Sequence, residues 1–478
     1  MRATYNVLDQ NWIPVISGDG SRRFLSLRQT IAQAHQLREI SDPSPLEEYS
    51  LYRFLAVFLM DALRLKKRSN IRALFRDGRF DMALIEKYID DCHAEGVSFD
   101  LFDKERPFLQ CRSDEEADGP IKPVSVLDCT LPSGNNHIHF NHARQETLPP
   151  DRALRLLLAT YWFCTAAAQG YPSGVYGAPP LLGVIKGKNL FETLTAMLFP
   201  LDSIGIPFDD PPVMWRRTAP VVPKAQIGKT SWLQGMLFPT RRINLVYDES
   251  GTVTGVHLTQ GENYVNKDTW VDPYATYRSN ETSVFPLRPH SDSPIWRNYC
   301  DIIDIPGNHA SKMLSLYQSI HGDEDIHLTL YGVETSQASY LSMHRYDLTL
   351  PLRLADSGYV ELMTACIGAT QQLRKALGKA CGEVEVIPEA TVNALVTKFD
   401  KACEGRFWCL CEEADFDKYS ARDLYAGFCS DVADVAIKSY DALSATLKLR
   451  AHDLATAEDK KKIIYGEIKK LTGEAKKT

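Results

Sequence analysis

No apolar run in this 478-residue chain is long enough to span a bilayer. The longest uncharged one, Leu156 to Ala168, reads as a buried helix. The amino terminus has no basic stretch followed by an apolar core and a small-residue cleavage site, so export is not expected. Eleven cysteines, an odd number without framework spacing, fit reduced thiols in a cytoplasm. Several patterns of catalytic chemistry are missing as well. Ile227-Gly228-Lys229-Thr230 shares the end of a phosphate-binding Gly-x4-Gly-Lys-Ser/Thr loop but lacks its earlier glycine. There is no His-Glu-x-x-His helix and no pair of Cys-x-x-Cys motifs. Cys409-Leu410-Cys411 on a helix points its thiols to different faces, a poor chelate and a good core filler.

Positive charge is also in short supply, with a formal net charge of −7. A protein that grips nucleic acid unaided is usually basic, because phosphate neutralisation dominates its affinity. The acids here are partly local, as in Asp114-Glu115-Glu116-Ala117-Asp118, and bases cluster too. Arg64, Lys66, Lys67, Arg68, Arg72, Arg76 and Arg79 are opposed in their stretch only by Asp77. A second cluster joins Lys460-Lys461-Lys462 to Lys469, Lys470, Lys476 and Lys477. Either cluster taken alone reads as the solvated face of a helix. Together with the acidic total they fit a subunit that touches nucleic acid within an assembly.

An apolar fraction of 44% and a charged fraction of 24% describe a globular chain, and its length calls for two or three domains. Residues 5–16 and 23–27 read as strands around the turn Ser17-Gly18-Asp19-Gly20. Pro14 has no N–H for a ladder, so its strand should end there or lie at an edge. Ser44-Pro45-Leu46-Glu47 starts a helix apolar on most sides, expected at the centre of the core. Residues 107–147 and 169–180 read as loops, and helices are expected over about 151–168 and 188–199. From 205 to 355 short strands, turns and prolines alternate. After Asp356 proline occurs only at Pro388, and apolar residues recur at helical spacing. The last helix is expected from about Thr456, where Thr456-Ala457-Glu458-Asp459 resembles a capping box. The fold class is therefore α+β: a mixed amino-terminal domain, 1–355, followed by an all-α four-helix bundle, 356–478.

One constellation supports an enzyme. In a strand, His137 and His139 would face the same way, with His142 close by, as a metal-dependent hydrolase would need. No carboxylate completes the set, and Gly134-Asn135-Asn136 beside it favours a polar loop.

A series of short segments, in order, carries a different reading: Asn6 to Val15 with Trp12-Ile13-Pro14, Pro107-Phe108-Leu109-Gln110, Ser133-Gly134 through Phe140, Lys186-Gly187-Lys188-Asn189-Leu190, Trp215, Gly235-Met236-Leu237-Phe238-Pro239, Tyr331-Gly332 through Gln337-Ala338-Ser339, and Glu404-Gly405-Arg406-Phe407-Trp408. Their order and spacing resemble the CasA-type large subunit of the type I-E CRISPR surveillance complex, Cascade. The resemblance implies a non-catalytic subunit, cytoplasmic and without cofactor or membrane contact. It would recognise the protospacer-adjacent motif (PAM) of double-stranded target DNA through the minor groove and start strand separation for an R-loop. It would also help recruit the helicase-nuclease. Further partners implied are the 5′ handle of the guide RNA and the backbone, handle-binding and small subunits.

Residue by residue, the family's wedge falls on Ser336 and Gln337, where insertion beside the motif would unstack the next base pair. Its glycine loop falls on Ala168, Gln169 and Gly170, with a single glycine where the family has a run. Its basic finger falls on Arg278, Ser279 and Asn280, where no lysine stands and Arg278 would replace an ammonium by a planar guanidinium. The loop toward the guide handle and the Cascade body falls on Asn135, Asn136, His137, Phe140 and Asn141. A scaffold subunit that does not itself read DNA remains the alternative within the family.

Overall fold

The computed structural model describes residues 3–111, 119–131, 146–164, 178–266, 270–279, 283–291, 293–305, 307–322, 325–336, 339–351, 357–447 and 450–474. The chain begins with β1 (Ile13–Ser17), β2 (Arg22–Leu25), α1 (Leu27–Gln33), β3 (Leu37–Ile40), α2 (Pro45–Leu63), α3 (Arg68–Asp77) and α4 (Met82–Ala94). Next come β4 (Ile121–Lys122), α5 (Pro150–Phe163), β5 (Leu182–Lys186), α6 (Leu190–Ala196), β6 (Gln226–Ile227), α7 (Trp232–Met236), β7 (Arg241–Tyr247), β8 (Val253–Gln260) and β9 (Asn263–Tyr264). Then follow β10 (Tyr277–Ser279), β11 (Val284–Pro286), α8 (Tyr299–Ile303), α9 (Lys312–His321), β12 (Ile326–Ser336) and β13 (Ser339–Leu350). The chain closes with α10 (Ser357–Gly382), α11 (Glu389–Glu413), α12 (Ala421–Thr446) and α13 (Ala451–Glu474). This is the expected α+β class with four carboxyl-terminal helices.

Two compact units emerge: residues 1–289 with 311–349, and residues 290–310 with 350–478. The change of composition near Pro351 does not reveal that 290–310 packs with the carboxyl-terminal helices.

In the first unit α2 is the organising element. Ser44 caps it by accepting from the Glu47 N–H, and Pro45 occupies the first turn, where its missing N–H costs nothing. From Leu46 to Asp61 every residue is buried, so the helix is enclosed on all sides, as its sequence implied. Around it lie three-stranded sheets of order β2-β1-β3, β4-β8-β7 and β13-β12-β5. Trp12 is fully buried and donates its indole N–H to the Val7 carbonyl at 2.9 Å. The expectation for Pro14 needs correction: β1 is the central strand of its sheet. Pro14 accepts from the Ser41 N–H, one residue beyond the end of β3, so its missing N–H falls where that ladder has stopped.

The segments that resemble the family are largely packing devices. Gln110 donates to the Leu101 carbonyl and accepts from the Leu245 N–H, both at 2.7 Å, clamping two passes of the chain. Trp215 donates to the Tyr88 hydroxyl at 2.9 Å, which donates at 2.7 Å to the buried carboxylate of Asp61. At Gly235 a Cβ would lie 2.1 Å from the Trp270 indole, so nothing larger than hydrogen fits.

In the second unit α10 packs against α11, α12 and α13. Phe407 of α11 lies between Trp296 and Tyr299, whose hydroxyl meets that of Tyr359 at 3.0 Å. Buried Asp400 is neutralised by Arg297 and, at 2.9 Å, by Arg374. Cys409 is exposed and Cys411 buried, as their spacing required. The last helix starts earlier than expected. Thr456 lies inside α13 and returns its hydroxyl to the His452 carbonyl, a bond interior threonines make in place of a cap.

Candidate nucleic-acid interface

Strand β5 gathers the segments that the sequence singles out. Antiparallel pairing sets Leu182, its first residue, against Tyr331, and Lys186, its last, against His327. The start of β5 therefore lies toward the Ser336 end of β12. On the other side of β5, Leu182 bridges Ala275 antiparallel, and the Gly183 N–H donates to the Tyr274 carbonyl at 2.8 Å. From Ala275 the chain runs on into β10, again against the direction of β5. Leu181 donates to the Leu287 carbonyl and Leu287 to that of Thr276, which ties in the return from β11. Three segments thus share one end of this sheet: Arg278 and Ser279 on β10, Ser336 at the end of β12, and residues 178–181 leading into β5. The register alone determines this, since antiparallel neighbours exchange their ends.

Helix α2 anchors that edge from beneath. Arg53 and Asp272, both fully buried, form an ion pair at 2.6 Å. Arg53 also donates to the Met236 carbonyl and the Tyr49 hydroxyl, each at 3.1 Å. Its guanidinium lies over the rings of Trp162 and Tyr274. Asp272 accepts from the Tyr274 N–H, while its own N–H donates to the Tyr277 hydroxyl, so the entry to β10 is fastened on both sides. Buried Glu48 does the same for the hairpin β12–β13. It accepts from the Tyr331 hydroxyl at 2.5 Å and from Arg345 at 3.2 Å, with Lys186 of β5 at 3.6 Å. Burial pushes the Glu48 carboxyl above its ordinary range, against the pull of Lys186, the Tyr331 hydrogen bond and Arg345. Burial likewise pushes Lys186 down, against Glu48 and Glu39. A buried charge with several partners is costly to strand, so the hairpin base is held firmly on α2.

Toward Ser336 the hairpin keeps its own bonds. The Ser342 hydroxyl donates to Glu334 at 3.1 Å and meets His344 Nε2 at 2.8 Å, while the Tyr346 hydroxyl meets His344 Nδ1 at 2.8 Å. Serine and glutamate both address the same imidazole nitrogen, so this is a cross-strand brace and not a relay of base and nucleophile. On the opposite face Leu341 and Met343 are exposed, as are Val284 and Phe285 on β11. Phe285, opposite Arg278 in the β10–β11 pair, sets an exposed ring beside a guanidinium. Alternation of polar and apolar residues over 341–344, and in the opposite phase over 345–349, is the signal that could have marked this strand in the sequence.

Gly332 lets the hairpin lie close to the chain entering β5. A Cβ there would come within 2.9 Å of Leu181 and 3.0 Å of Pro289. Gly332→Val is expected to cost about 1–3 kcal/mol of overpacking, read as a lower unfolding midpoint in denaturant.

Of the residues expected to contact DNA, Arg278 is half-buried and Ser279 and Ser336 are exposed. Ala168, Gln169, Gly170, Asn280 and Gln337 lie outside the described residues, as do Asn135, Asn136, His137, Phe140 and Asn141. His139 and His142 of the metal reading lie outside them too. Among the described residues no group of His, Cys, Asp and Glu is placed to hold a metal ion, and no helix is long and apolar enough to cross a membrane. Sequence reasoning did not single out Glu48, Arg53 or Asp272, because burial alone gives those side chains their role, and Lys186 stood out only as part of a family-like segment.

The family model for CRISPR-associated protein Cse1 matches residues 6–425, and the chain belongs to this family. It is 28% identical over 407 residues to the CRISPR-associated protein CasA/Cse1 of Thermus thermophilus, covering 80% of this chain and 78% of that protein. The solved structure of Thermus thermophilus CasA (Cse1) superposes with a TM-score of 0.77 at 22% identity, over 98% of this chain and 99% of that one. Thermobifida fusca Cse1 gives a TM-score of 0.80 at 19% identity, with 98% of both chains covered. A chain of a CRISPR RNA-guided surveillance complex gives 0.80 at 19% identity, over 97% of this chain and 99% of that one.

Proposed function

We propose that the chain is the non-catalytic large subunit of a type I-E Cascade. In this reading it recognises the PAM in double-stranded DNA through the minor groove and begins the strand separation that lets guide RNA pair. The observation that carries the reading is the shared sheet end. Arg278 and Ser279, Ser336, and residues 178–181 come together there, although they are far apart in sequence. A reader needs contacts in the groove and a wedge beside it held in fixed relation, and the anchors on α2 supply that rigidity. The loop over 133–141 would reach the guide handle and the neighbouring subunits, and the subunit would help recruit the helicase-nuclease.

The test is a motif-library binding assay on the assembled complex, with and without this chain. Preference for a short motif that vanishes when the chain is omitted is the expected result. An unchanged preference would leave the chain a scaffold. Crosslinking of residues 168–174 and 336–337 to duplex DNA separates the same two readings at residue level.

A further inference from the structure

The two basic clusters of the sequence meet different fates in the fold. Along α13, Lys460 pairs with Glu383 at 2.9 Å, Lys461 with Asp441 at 2.6 Å, Lys462 with Asp459 at 2.5 Å and Lys470 with Glu467 at 3.0 Å. Those charges are consumed within the helical unit. Around α3 they are not. Arg64 is held by Asp61 and Asp209, but Lys66, Lys67, Arg68, Arg72, Arg76 and Arg79 are all exposed. Lys66, Lys67, Arg68 and Arg79 make no ion pair among the described residues. Arg72 uses one N–H on the Ser319 carbonyl, and Arg76 has only exposed Asp77 at 3.9 Å.

Helix α3 presents these charges in order. Arg68, Arg72 and Arg76 recur every fourth residue and form a stripe covering about 12 Å of helix axis. The adjoining face of the helix is fixed: Ile71 is buried, and Phe75 packs edge-on against Tyr317 and His321 of α9. The stripe has no apolar centre, since no large exposed apolar residue lies between Arg64 and Arg79. A protein partner would need such a centre for affinity, with charges confined to its rim. An uninterrupted row of guanidinium and ammonium groups suits phosphates instead, and duplex DNA offers the denser row of them.

The position of α3 separates this surface from the edge described above. It packs on α9, which leads into the start of β12, whereas Ser336 lies at the far end of that strand. β12 has 11 residues and so spans about 33 Å.

We propose that the exposed basic face of α3, with Lys66, Lys67 and Arg79 at its ends, binds duplex DNA phosphates without sequence preference, apart from the motif-reading edge. The inference does not depend on which motif that edge reads, or on whether it reads one.

The experiment measures binding of a short mixed-sequence DNA duplex to the full chain by fluorescence anisotropy, from about 50 to about 200 mM salt. In K66Q/K67Q/R68Q/R76Q the slope of log affinity against log salt should fall by about 0.9 for each lost phosphate contact. Affinity at the low-salt end should fall roughly tenfold or more. The charge-preserving variant K66R/K67R/R68K/R76K should restore both, which separates lost charge from lost folding. K460Q/K461Q/K462Q, whose lysines are already paired, should leave the slope where it was. An unchanged slope and affinity in the glutamine variant overturns the proposal, and so does a loss confined to single-stranded RNA. In the assembled complex the glutamine variant should keep its motif preference. A changed preference with an unaltered salt slope would also overturn the assignment.

Discussion

Arg53→Ala is expected to cost about 3–5 kcal/mol, enough to leave much of the first unit unfolded at physiological temperature. The guanidinium is fully buried and binds the Asp272 carboxylate, the Met236 carbonyl and the Tyr49 hydroxyl. Truncation leaves Asp272 without its counter-charge in a place water does not reach, and it opens a cavity between Trp162 and Tyr274. The double variant Arg53→Met with Asp272→Leu removes both charges while retaining most of the volume. It should recover a large part of the loss, because a buried pair replaced whole costs far less than a pair halved. Chemical unfolding of the parent, Arg53→Met, Asp272→Leu and the double variant measures the coupling. If Arg53→Ala unfolds at the same denaturant concentration as the parent, the ion pair is not what fastens the entry to β10.

The second large effect concerns the proposed wedge. Gln337→Ala in the assembled complex should impair strand opening while part of the duplex binding is retained. Losing one base contact is worth about 1–3 kcal/mol, or roughly 5- to 150-fold in R-loop formation. Such a split is expected because Gln337 follows Ser336, at the end of a hairpin whose base is tied to Glu48. Removing a side chain there leaves the anchors intact. R-loop formation at the parental rate would count decisively against the wedge assignment. Its natural comparison is Glu48→Ala, which takes from Lys186, Arg345 and the Tyr331 hydroxyl the buried carboxylate they share and should weaken binding and opening together.

Much of the fold was legible because its signals are local. The cap and proline of α2, the scarcity of proline after Asp356 and the helical spacing of apolar residues each act within a few residues of chain. Pro14 shows where local reasoning stops. Its missing N–H predicts a strand end or an edge, yet β1 is central and the lost donor faces the chain just past the end of β3, which no rule about neighbouring residues discloses. Thr456 shows the same limit from the other side, since a sequence fit for a cap is equally at home inside a helix once the preceding residues continue it. Residues 290–310 packed with the carboxyl-terminal helices without any change of composition to announce it, because Trp296, Arg297 and Tyr299 find their partners across long sequence distances.

The family and the mixed class with its helical carboxyl-terminal part are legible in the chain before it folds. Order and spacing of residue types are properties of the chain alone. Folding alone brings Arg278 and Ser279, Ser336 and residues 178–181 to one sheet end, through a register in which Leu182 lies between Tyr331 and Ala275. It also decided which charges remain free, since the lysines of α13 and the arginines of α3 are equally basic in sequence. Charge is carried by residues, but whether it is neutralised depends on what folding brings within a few ångströms of it.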